Sequence, residues 1–244
     1  TVKVDVASAQ YGDAKKSKTV DTLTINGANS VKQNIAAQSN SGGLTGITNN
    51  KAAIINDFTT YVTARGTDAV NSSLGDAVVK AGTGNTTTAQ ASSYGGALGG
   101  NIAAAETNLS LTTDTKTDLS GYWNLSGDFT ATAGNNEILD LVTDTSSAAI
   151  LNGSGGAINT TVNEKGNLNL NGAIILTAGK QTYEAGTKST DNSHLLSNGF
   201  GWLGGAAAAV LNQDQSYQSA VNFLKGSRLS AGGSIQASAA SIGT

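Results

Sequence analysis

Residues 165–180 read KGNLNLNGAIILTAGK, the most strand-like part of the chain. Leu168, Leu170 and Ile174 alternate with Asn167, Asn169 and Asn171, and a period of two puts the apolar residues on one face and the asparagines on the other. Asn171-Gly172 is a turn signal, because both residue types tolerate positive φ. Residues 173–177 are apolar at consecutive positions, as in a strand covered on both faces. Working outward, residues 107–113, 122–132 and 137–143 read as further strands. They are bounded by residues 114–118, by Gly134-Asn135-Asn136 and by residues 144–147. Strands about ten residues apart with Gly and Asn between them predict a mainly β fold, an antiparallel β-sandwich or a β-solenoid-like subunit.

The wider composition fits such a material. The chain has 244 residues, 38% hydrophobic and only 13% charged, so Thr, Ser, Asn and Gly carry its polarity. Neutral polar chains of this kind stack into ladders with little self-repulsion. There is no Cys, which excludes disulfides, thiolate metal sites and cysteine nucleophiles. There is no Pro, so nothing blocks continuous strand pairing. No apolar run approaches the ~18 residues that span a bilayer as a helix, and no membrane insertion is expected. With a net charge of −3 and only Arg65 and Arg228 as arginines, the chain lacks the basic face that nucleic acid requires. Residues 1–20 are lysine-rich while residues 106–146 hold seven acids against one Lys. The chain opens on Thr1, which fits an amino terminus exposed by signal removal or a sequence that begins mid-chain.

One helical element is predicted. In residues 50–65, Ile54, Ile55, Phe58, Tyr61 and Val62 form a helical stripe, with Asn49 or Asn50 as cap. A second stripe runs through Val70, Leu74, Ala77, Val78 and Ala81 to Gly82. Residues 50–81 therefore read as a small helical hairpin on the sheet. The expected organisation is an N-terminal strand and linker at 1–18, then one β-rich domain at 19–244. That domain carries the helical insertion at 50–81 and a flexible, low-complexity loop at 83–100. Residues 194–226 fit helix or strand.

Residues 1–6, TVKVDV, put Val2, Val4 and Val6 on one face and Lys3 and Asp5 on the other. This is either the first strand of the chain's own sheet or an intersubunit strand that completes a neighbour's sheet, entering a groove lined by 161–178. Trp123 beside Tyr122, and Trp202 beside Phe200, are either core aromatics or contacts for a glycan or partner. Gly199-Phe200-Gly201-Trp202-Leu203-Gly204 matches G-x-G-x-x-G but lacks the preceding strand and following acid of a dinucleotide site, so it reads as a tight turn. His194, the one histidine, lacks a nucleophile elbow and reads as a surface turn residue. The pairs Asp114/Asp118 and Asp140/Asp144 read as solvated turns, with calcium as the alternative. No catalytic residue, cofactor site or metal site is predicted.

Asn26-Gly27 leading to residues 34–38, and Gly100 with the NIAA of residues 101–104, resemble repeats of bacterial secreted functional-amyloid fibre subunits of the Fap type. The resemblance covers about a sixth of the chain. It departs from the family at 50–81 and lacks the regular Gln/Asn ladder spacing. It implies export, self-assembly and a place in biofilm matrix. The expectation is thus a non-enzymatic, extracellular or cell-surface structural subunit that polymerises through β-pairing, its partners being its own copies and other matrix proteins or glycans. A monomeric adhesin or glycan-binding module is the alternative.

Overall fold

A computed structural model describes residues 1–6, 20–67 and 74–244. Of these residues 91% lie in strands and none in a helix. Four strands are very long: β2 (Val20–Arg65), β3 (Leu74–Ser120), β5 (Phe129–Leu170) and β7 (Gln181–Phe223). Three short ones, β4 (Tyr122–Leu125), β6 (Ile174–Thr177) and β8 (Arg228–Ala231), punctuate them. β1 (Val2–Val6) and β9 (Ile235–Gly243) lie at either end.

Every pairing is parallel. From β2 onward each residue's partner lies 51–55 positions further along, as in Gly100 with Leu151 and Thr45 with Gly100. The 46 residues of β2 would reach about 150 Å if straight. They do not run straight. Gln33 Nε2 donates to Asn56 Oδ1 at 3.2 Å, and Thr143 Oγ1 to the Ala157 carbonyl at 3.1 Å, so each long strand folds back on itself. Each is a rung of two arms joined at a tip, where the register slips between Gly43 and Thr45, Gly96 and Gly100, and Ala149 and Leu151. The short strands close the opposite end, the base.

Alternation decides what enters the space between the arms. Leu168, Leu170, Leu139, Leu141, Leu109 and Leu111 all point inward and are buried. The base is filled by large groups: Trp123 packs edge-on to Phe129 at 5.5 Å, Phe129 on Tyr183 at 5.9 Å, and Tyr183 on Phe223 at 5.7 Å. The middle holds Ile54, Leu111, Leu139, Ile158 and Val162, and the narrow region near the tip holds small groups such as Ala52, Ala91 and Ala105. At the corners after β3, β5 and β7 the chain takes positive φ, at Gly121 (74°), Gly172 (63°) and Gly226 (90°).

This architecture corrects several expectations. The sheet is parallel, not an antiparallel sandwich. Asn171-Gly172 closes no hairpin; it turns the chain into β6, which pairs with β4 of the rung before. The helical hairpin at 50–81 is absent: residues 50–65 belong to β2 and 74–81 to β3, while 68–73 lie outside the described residues. Residues 50–65 are rich in β-branched side chains, which favour strands. In β2 the stripe splits: Ile54 and Val62 are buried, whereas Ile55 is exposed and Tyr61 gives its hydroxyl to Asp114 on the outer face at 2.8 Å. Residues 83–100, expected as a loop, run inside β3 and pair with both neighbouring rungs. Residues 194–223 lie in β7. The linker proposed before residue 18 falls mostly on 7–19, outside the described residues.

Candidate functional site

Two features have the character of sites: the free edges of the end rungs, and a polar band inside the stack.

The edges follow from the topology. Among the described residues, the outer edge of β2 carries β1 over residues 60–64, and the outer edge of β7 carries β9 over residues 181–189. The rest of each edge has no strand partner there. Interior columns end accordingly. Leu211 stacks under Ile158, yet Leu211 is 50% exposed where Ile158 is 0% exposed. Phe223 under Leu170, and Ile35 at the other end over Ala89, are likewise partly open. Unpaired strand edges with apolar residues beside them are templates for another chain.

Val2, Val4 and Val6 are half-buried in β1, which pairs with residues 60–64 of its own chain; Val4 and Val6 pack on the base cluster. Residues 161–170 are paired on both sides, with β3 and β7, so they offer no groove for an incoming strand. The equivalent free position is residues 219–223 of β7.

Trp123 is a core residue, 2% exposed, with Nε1 donating to the Ser120 carbonyl at 2.9 Å. Trp202 is 80% exposed at the tip of β7. The Gly199–Gly204 stretch forms that tip, with Gly199 opposite Ser147 and Gly204 opposite Leu151. His194 is exposed on the outer face of β7, and its neighbour Ser193 has the opposite parity and donates to Asp191 at 2.6 Å. The Asp pairs sit within strands, not turns: Asp114 accepts from Tyr61, Asp118 from Asn169 at 2.8 Å, and Asp144 from Tyr94 at 2.7 Å. No group of three or more His, Cys, Asp or Glu that could hold a metal ion occurs among the described residues. Among the described residues no helix is long and apolar enough to cross a membrane.

The polar band lies between the base and middle clusters. Thr60, Thr83 and Thr115 pass a hydroxyl chain across it at 2.8 and 2.9 Å. Asn85 Nδ2 and Thr113 Oγ1 donate to Glu137 Oε1 at 2.9 and 3.1 Å. Thr113 stacks on Glu164, and Asn85 on Glu137, so the two glutamates oppose one another in one rung. Both are completely buried. Burial pushes the Glu137 carboxyl up to about 7, with Thr113 and Asn85 opposing the rise. Burial, then the charge of Glu137, pushes Glu164 to about 8, and the Ser189 hydroxyl offsets a part. Glu164 therefore keeps most of its proton at neutral pH, while Glu137 is about half ionised there. The pair is walled in by rungs on both sides. Sequence reading does not single the pair out, although Glu137 shares parity with Leu139 and Leu141, and Glu164 with Leu168 and Leu170.

No family model, curated protein or solved structure matches the chain.

Proposed function

We propose that this chain is a secreted structural subunit that joins copies end to end by parallel β-pairing of its end rungs, building an extracellular surface or biofilm-matrix filament. The observation that carries the reading is the pair of free edges at opposite ends of one stack axis, with interior residues such as Leu211 half open there. A copy stacked on that edge extends the register and covers those residues. Backbone bonds supply regularity, and the inward apolar face fixes which side turns in. β1 gives a strand-exchange version, in which Val2, Val4 and Val6 dock on residues 219–223 of a neighbour.

Sedimentation over a wide concentration range, with negative-stain electron microscopy, tests the reading. Wild type should form filaments, and Leu211→Lys should remain a folded monomer because the position is already half exposed. Removing residues 1–6 tests the exchange version alone, since assembly that survives it eliminates that version. The exposed Trp202 favours a second reading, a glycan-binding module; glycan binding by a chain that stays monodisperse would select it.

A further inference from the structure

The four tips stack into one edge of the molecule, and that edge carries no charge. Residues 33–50, 81–105, 145–163 and 195–213 contain no Asp, Glu, Lys, Arg or His. The edge is nonetheless studded with exposed large apolar side chains. Leu44 (75% exposed), Leu98 (72%), Ile150 and Leu203 follow one another at successive tips, flanked by Ile47, Ile102, Leu151, Phe200 and Trp202. Beside this ridge Ile47, Ile102 and Leu151 line a shallow groove of about 460 Å³. Contiguous exposed apolar patches of this kind mark interaction sites.

We propose that this tip edge is a lateral docking surface for a second copy of the chain. Three observations select a copy as the occupant. Knob and groove lie on the same face, so the surface is complementary to itself, as a two-fold interface requires. Each of the four rungs presents one of these side chains at its tip, which lets two facing ridges interdigitate in a dry zipper. Nine or so such side chains provide area on the order of the ~800 Å² that each side of a stable interface buries. A lipid surface fits less well, because no Lys or Arg in the four runs draws the edge to anionic headgroups. The surface differs from the free strand edges of the end rungs, since it also takes in Leu98 of β3, which is paired on both sides by β2 and β5.

The chain has no cysteine, so a single introduced thiol reports the contact. Leu98→Cys under mild oxidation should give disulfide-linked dimers at least about tenfold faster than Lys165→Cys, because docking raises the effective thiol concentration. Lys165 is an exposed control on β5, an inner rung. Adding Leu44→Ser and Trp202→Ser should return the Leu98→Cys rate to that of the control while leaving the melting temperature in place. Equal rates for the two single-cysteine variants overturn the proposal. So does a chain that stays uncross-linked yet shows a blue-shifted Trp202 emission on neutral phosphatidylcholine vesicles, which makes the edge a lipid contact. Filaments that persist without cross-linking retain end-to-end joining and remove lateral docking; cross-linking without filaments does the reverse.

Discussion

Glu137 and Glu164 face one another across the interior of a single rung, both sealed from solvent. In the unfolded chain both titrate near 4.5, whereas in the fold they titrate near 7 and 8. Between these values the folded state binds more protons than the unfolded one, so stability falls as pH rises. The full stabilisation is present below about 4.5, and it is lost through pH 7 to 8. The loss amounts to roughly 3 kcal/mol or more per carboxyl, at ~1.4 kcal/mol for each pH unit that separates folded from unfolded titration. Thermal melts from pH 5 to 9 should show a falling midpoint that levels off above pH 8. Glu164→Gln should flatten that profile and melt higher than wild type at pH 8. A flat wild-type profile contradicts the buried pair.

A second prediction concerns the corners that join one rung to the next. Asp76 Oδ1 accepts the Asp128 amide at 2.8 Å, and Asp128 Oδ1 accepts the Lys180 amide at 2.7 Å. Each carboxylate passes over a glycine: a Cβ on Gly127 would lie 1.9 Å from Asp76 Oδ1. Gly127→Ala should therefore cost about 1–3 kcal/mol through the displaced hydrogen bond. Gly172→Ala, at φ +63° with nothing within 4 Å, should cost only the ~1 kcal/mol of backbone strain. In an Asp76→Ala background the Gly127→Ala penalty should shrink, and a denaturation double-mutant cycle measures that coupling.

The two tryptophans should behave oppositely. Trp123→Ala removes the end of the base aromatic stack and should cost about 3–5 kcal/mol. Trp202→Ala should leave the unfolding midpoint within about 0.5 kcal/mol. Chemical denaturation of both variants checks the contrast; comparable losses would mean that Trp202 is packed.

Parity was readable in the chain; the course of the backbone was not. Leu168 and Leu170 do point inward and Asn169 outward, as their alternation requires. Asp114, Asp118 and Asp144, which read as turn residues, are instead acceptors on the outer face of strands. Asn108, Asn159 and Asn212 bond in sequence across three rungs at 2.8 Å, as do Asp118, Asn169 and Asn222. An Asn that recurs for stacking has the same composition signature as an Asn that recurs for turning. The repeat was hidden similarly. The NIAA matches at 34 and 101 fall in different columns, since Asn34 pairs with Thr88 and Asn101 with Gly46. The true period is carried by backbone demands, in Gly75, Gly127, Gly179 and Gly233, bonded amide to carbonyl in one column at 2.9–3.0 Å. Nothing local distinguishes Trp123 from Trp202, because burial depends on the rung stacked 52 residues on, at Ile175 for Trp123, and on whether the position lies at the base or at a tip.

Under the proposed end-to-end joining, the rungs stack along the filament axis. X-ray diffraction from aligned, concentrated protein tests this most directly. Stacked rungs predict a reflection near 4.8 Å on the meridian, parallel to the filament axis. A 4.8 Å reflection on the equator, or a preparation that yields only separate particles at every concentration, contradicts it.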